Sequence, residues 1–176
     1  MATRRKASTR SRKPTAARRP AGRKSGTAVR KPASKSVRQG TGKPKKRISA
    51  SAQLEANKKL VLAFYEQIIG RKDFDAARRF MGDNYRQHAP YAADGHDGLR
   101  AWLAGFKAAF PNHRYEVKRV IAEGPFVMLH LHGMGGPNPH GESVVDIFRI
   151  EKGKVVEHWD IIQAIPDTAD NANSMF

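Results

Sequence analysis

From residue 114 to residue 162 the apolar residues recur at every second position, whereas between residues 52 and 110 they recur every three or four. A period near 3.6 builds an amphipathic helix, and a period of two builds a half-buried strand. The chain is therefore divided into a helical stretch and a later strand-built stretch. The first helix is predicted over 52–69, with Ser51 as N-cap, Gly70 at its end, and Leu54, Leu60, Val61, Phe64, Tyr65 and Ile68 on its apolar side. Asp73 caps a shorter helix carrying Phe74, Ala77, Phe80 and Met81. "GDNYRQHAP" then reads as a turn and a short extended piece halted at Pro90. A third helix follows "DGHD", takes Leu99, Trp102, Leu103, Phe106 and Phe110 at helical spacing, and stops at Pro111. "YEVKRVIAEG", "FVMLHLHG", "ESVVDIFRI" and "KVVEHWDII" are four strands, joined by turns at Glu-Gly-Pro and Glu151–Gly153 and by the loop "GMGGPNPHG". Three helices and a four-stranded antiparallel meander make an α+β domain, with the helices on one face of a curved sheet. The C-terminal Met175–Phe176 pair is expected to pack on this body or on a partner subunit.

None of these patterns extends into the N-terminus. Residues 1–47 hold 18 Lys or Arg and no acid, while the rest of the chain holds 15 Lys or Arg against 16 Asp or Glu. The net charge of +17 thus belongs to a tail. Val29 and Val37 are the only branched aliphatic residues up to Arg47, and no aromatic occurs there. So little apolar area does not offset chain entropy, so residues 1–48 are expected to be disordered and 49–176 to form the domain. Such a tail would bind nucleic acid or an anionic surface without sequence preference and with strong salt dependence. Its composition resembles the basic arms of linker-histone-like proteins, and a solubilising or targeting extension is the plain alternative. Without cysteine there is no disulfide or thiolate metal site. No run of roughly 18 apolar residues suggests a membrane span, and no apolar segment follows the basic start as in a secretory signal. A cytoplasmic location is expected, with nucleoid association as its extension and organellar targeting as the weaker reading.

Alternation assigns faces to the strands. Val144, Asp146 and Phe148 oppose Val145, Ile147 and Arg149, and Phe126, Met128, His130 and His132 oppose Val127, Leu129 and Leu131. In the last strand Val156, His158, Asp160 and Ile162 oppose Val155, Glu157, Trp159 and Ile161. Both faces are largely apolar, so one meets the helices and the other is expected to form a homodimer. Asp146, His158 and Asp160 are expensive to desolvate without partners. Alternation alone leaves open which face carries them inward.

The runs "FYEQIIGRKDFDAARRFMGDNYRQHAP", "RVIAEGPFVMLHLHG", "VVDIFRIEKGKVVEHWDIIQAIP" and "NANSMF" resemble the SnoaL-like polyketide cyclase branch of the NTF2-like superfamily, over 52–176. The resemblance implies a cone of about three N-terminal helices on a curved, mainly antiparallel sheet that encloses a pocket. It also implies a cofactor-independent activity on a small carbonyl ligand, in common with polyketide cyclases and ketosteroid isomerases, alongside members that only bind. Laid residue by residue on the isomerase pattern, Tyr65 and Asp146 take the places of the oxyanion donors. His88 in "QHAP" takes that of the general base. His158 and Asp160 replace apolar lining, which makes the site more polar than a steroid pocket. Phe64, Trp102, Phe106, Met128, His130, Val144 and Phe148 are the implied lining.

In that frame His88 or Asp160 moves a proton, with His158 paired to a carboxylate, while Asp146 and Tyr65 stabilise an oxyanion during enolisation, dehydration or aldol closure. The plain alternative is a hydrogen-bonded His158–Asp160 pair in a pocket that only binds a small molecule or a partner. His130, His132, His158 and Asp160 are chemically suitable metal ligands, yet no compact ligand motif appears and no metal or cofactor is expected. "GMGGPNPHG" lacks the GxGxxG spacing and is followed by a strand, so it is no dinucleotide signature.

Overall fold

The structure, a computed structural model, describes residues 48–176; the tail expectations for residues 1–47 lie outside them. Helix α1, Ala50–Tyr65, is capped by Ser49 rather than by Ser51: the Ala52 N–H donates to the Ser49 hydroxyl at 3.1 Å. Its last turn widens into a π-helical turn, Glu66–Gly70. Helix α2 is a single turn and a half, Phe74–Arg78, capped by Asp73, whose carboxylate accepts from the Ala76 N–H at 2.9 Å. Phe80 and Met81 do not continue it, and Met81 instead opens strand β1, Met81–Gln87. Helix α3, Gly95–Ala109, is followed by β2, Arg114–Glu123, β3, Phe126–Met134, β4, Glu142–Glu151, and β5, Lys154–Ala164.

The sheet has five strands in the order β1-β5-β4-β3-β2. β2 to β5 form the expected antiparallel meander, and β1 pairs parallel to β5 at one edge, which makes the sheet mixed. "MGDNYRQ" carries no period-two apolar signal. Pairing with β5 makes it a strand, and it buries only Met81 and Tyr85. Lys152 and Gly153 both adopt positive φ in the two-residue turn between β4 and β5, as the tight hairpin geometry requires.

Helices α1 and α3 pack on one face of the sheet. Phe64, Val61, Leu129, Leu131, Val127 and Val155 are fully buried between the layers, each worth about 1.5–3 kcal/mol of removal from water. Val155 lies in this core although alternation placed it on the face opposite His158 and Asp160, which also point inward. A bulge beside Arg149 and Ile150 shifts the register, so that Ile150 pairs with Val155 and Phe148 with His158. One extra residue, Val156, absorbs the shift. Phe176 packs on the outer face, its ring 4.5 Å from that of His132 and 5.6 Å from that of His130. Among the described residues no helix is long and apolar enough to cross a membrane.

Candidate functional site

β4 and β5 present Asp146, His158 and Asp160 to the helix side. The register sets Asp146 opposite Asp160 and Phe148 opposite His158, so all four side chains share the inner face with Val144. The His158 ring stacks on Phe148 with centroids 4.8 Å apart, and its Nε2 lies 2.9 Å from Asp146 Oδ1. Asp146 is only 5% exposed, so this contact answers the desolvation of both groups.

β1 closes the floor from the edge. Its last residue, Gln87, pairs with His158 in the parallel register and places Oε1 2.8 Å from His158 Nδ1. Tyr85 stands two residues earlier on the same face, with its hydroxyl 3.4 Å from Gln87 Nε2. Tyr65 enters from the end of α1. Burial first, and then the charge of Asp146, push its phenol well above the ordinary value. Burial and the charges of Asp146 and Asp160 do the same to Tyr85. Both tyrosines are therefore protonated donors at neutral pH. Burial also raises the Asp160 carboxyl above the usual carboxylate range. Its proton affinity is thus moved toward the pH at which an acid/base group works best.

The walls are apolar and come from α1 and α3, with Phe64, Leu99, Trp102 and Phe106 around about 90 Å³ of free space. Tyr91 and Ile162, 50% and 44% exposed, stand at the mouth. His113 and Glu142 line the pocket too, and burial followed by the Lys72 charge pushes His113 down to about 4, so its ring is neutral.

Asp146, His158, Asp160 and Tyr65 are thus brought together, with Phe64, Trp102, Phe106, Val144 and Phe148 around them. Three expected residues stand elsewhere. His88 follows Gln87 by one position and points to the opposite face, where it stacks on Trp159 at 4.6 Å and meets Glu157 at 2.9 Å. His130 and Met128 also lie on that outer face, His130 between Arg119 at 2.8 Å and Ser143 at 3.1 Å. Gln87 and Tyr85 were missed. The one available signal was period two along β1, which sets Tyr85 and Gln87 against Arg86 and His88.

Asp146, His158 and Asp160 each offer one donor atom within 4.8 Å of the others, a spacing that a cation could bridge. Both His158 nitrogens already have hydrogen-bond partners, Gln87 Oε1 at Nδ1 and Asp146 Oδ1 at Nε2.

Residues 59–170 match the family model described as SnoaL-like polyketide cyclase. No curated protein matches the chain by sequence. Among solved structures, AclR from Streptomyces galilaeus is similar at 23% identity and a TM-score of 0.53, over 66% of this chain and 91% of that one. TsrD from Streptomyces laurentii is similar at 18% identity and 0.52, over 66% and 91%. An NTF2-like protein from Burkholderia xenovorans is similar at 19% and 0.54, over 66% and 89%. At these identities the likeness is one of fold.

Proposed function

Because the chain belongs to the SnoaL-like polyketide cyclase family, we propose that its domain is a cofactor-independent acid/base enzyme. Its substrate would be a small enolisable carbonyl compound, and its reaction aldol cyclisation, isomerisation or dehydration. The observation that carries this reading is the meeting of Asp146, His158 and Asp160 at the floor of an apolar pocket. Asp160 takes the proton from the carbon next to the carbonyl, and the C–H electron pair moves into an enolate. The proton shared by Asp146 and His158 passes to the enolate oxygen, and the Tyr65 and Tyr85 hydroxyls donate to that oxygen as charge develops. The low-dielectric walls strengthen these contacts.

A free space of about 90 Å³ is well below the roughly 300–1,000 Å³ of pockets for drug-sized ligands. The reactive carbonyl would occupy the floor and the remainder of the substrate the mouth, with helices and sheet closing around it as in the family's cone. The test is incubation of the full chain with short β-keto esters, with product followed by NMR. Turnover above that of heat-denatured protein is expected. Binding by calorimetry without turnover would favour the reading as a non-catalytic small-molecule carrier.

The charge of residues 1–47 supports a second, separable activity, sequence-indifferent binding of nucleic acid. Duplex DNA of unrelated sequences should bind equally, with affinity falling at least tenfold between 50 and 200 mM salt, by order of magnitude. Deleting residues 1–47 should abolish binding; retention in that variant would place the site in the domain.

A homodimer through the outer sheet face is the matching proposal for partners. Ladder pairing lines up Trp159, Ile147, Met128 and Ile121 across four strands, and Phe126 and Ile161 beside them are 43% and 66% exposed. An apolar row of this extent marks an interface. Light scattering should give twice the chain mass for the wild type and the chain mass for Ile161→Asp.

A further inference from the structure

We propose that Gln87 is a positioning residue that holds the His158 ring with a proton on Nδ1, leaving Nε2 to share a second proton with Asp146. Gln87 Oε1 accepts from the Ala89 backbone N–H at 3.1 Å and lies 2.8 Å from His158 Nδ1. Ala89 is 2% exposed, so water does not replace that acceptor. Turning the amide over would set its NH₂ against the Ala89 N–H and strand a buried donor. The buried backbone N–H therefore fixes the amide, and the amide fixes the tautomer. An acceptor opposite Nδ1 requires Nδ1 to carry the hydrogen.

The support is itself anchored. The Gln87 N–H donates to Asp94 Oδ1 at 2.8 Å, and the next residue's N–H, of His88, donates to the His158 carbonyl at 3.0 Å. With Nδ1 committed, the 2.9 Å contact between Nε2 and Asp146 Oδ1 needs one further proton, on either atom. The pair consequently holds a single deliverable proton beside Asp160, which remains free to accept one. The groups facing His158 are Asp146 and Phe148 from β4, Asp160 from its own strand, Tyr65 from α1, and Tyr85 and Gln87 from β1. No Lys or Arg of the described residues lines this pocket. The division into donor pair and acceptor rests on the acid/base reading of the site; the tautomer does not.

The experiment is ¹⁵N NMR of the histidine-labelled full chain, with His158 assigned by loss of its signals in His158→Gln. The wild-type ring is expected to keep a proton on Nδ1 at every pH at which the chain is folded, including that of the neutral ring. A neutral ring with its proton on Nε2 overturns the proposal. In Gln87→Met the acceptor is gone, and the neutral ring's proton should move to Nε2, against Asp146. In Gln87→Glu the acceptor is kept, and Nδ1 should stay protonated. An unchanged Nδ1 proton in folded Gln87→Met, or its loss in Gln87→Glu, overturns the assignment to Gln87. If Gln87→Met does not fold, the wild-type and Gln87→Glu spectra still decide. An Nδ1-protonated ring in a protein without turnover would count against the enzyme reading and leave this one standing.

Discussion

Asp160→Asn is expected to abolish most turnover while making the domain more stable at neutral pH. The rate loss follows from the role of the carboxylate. A positioned general base contributes about 10²–10⁴-fold, and an amide of the same shape accepts no proton. The stability gain follows from linkage. Burial holds the Asp160 carboxyl above its ordinary value, so the folded state binds its proton more tightly than the unfolded state does. Such a group contributes stability that is fully present below the unfolded carboxylate pKa of about 3.9. That contribution is lost as pH rises through the higher folded value. At pH 7 the charged Asp160 is therefore a liability, and Asn removes it. Thermal melts should show the variant above the wild type at pH 7 and the difference shrinking toward pH 4. A variant that melts below the wild type at pH 7, with turnover intact, would contradict both halves.

Phe148→Ala is expected to cost about 3–5 kcal/mol of stability. Phe148 is 2% exposed and joins the two layers, edge-on to Phe64 at 5.7 Å and to Tyr65 at 6.2 Å. It is also the surface on which the His158 ring rests, so its removal acts on the site as well as on the core. Leu129→Ala provides the comparison. Leu129 is fully buried but lies outside the pocket lining, and its truncation should cost about 2–5 kcal/mol. Denaturant unfolding gives the two stability losses. Turnover per folded molecule separates them: it should fall further in Phe148→Ala and stay near the wild-type value in Leu129→Ala. Equal losses would remove Phe148 from the support of the site.

The meander was legible because the alternation in "FVMLHLHG", "ESVVDIFRI" and "KVVEHWDII" is strong, and α1 and α3 because their apolar spacing is long. β1 was not. Its strand state depends on hydrogen bonds to β5, whose partners lie 71 to 74 residues further on, which local pattern does not encode. The bulge at Arg149 and Ile150 likewise moved Val155 to the core against its alternation. In the site, Asp146, His158 and Asp160 could be picked out because charged residues in apolar strands demand partners. Their partner Gln87 could not, because a glutamine at the end of an extended piece of unknown pairing carries no such demand. The same missing register explains His88, which the resemblance supplied: only the pairing of Gln87 with His158 shows that residue 87 faces the pocket and residue 88 the other side.

The most direct measurement of the proposed chemistry is hydrogen exchange at the α-carbon of a short β-keto ester in D₂O, followed by proton NMR with the full chain and with Asp160→Asn. Wild-type protein should speed loss of the α-proton signal well beyond the buffer rate, and Asp160→Asn should lower the protein-catalysed rate by about 10²–10⁴-fold. Wild-type exchange no faster than buffer for any ester that calorimetry shows to be bound would contradict the assignment of Asp160 as the base.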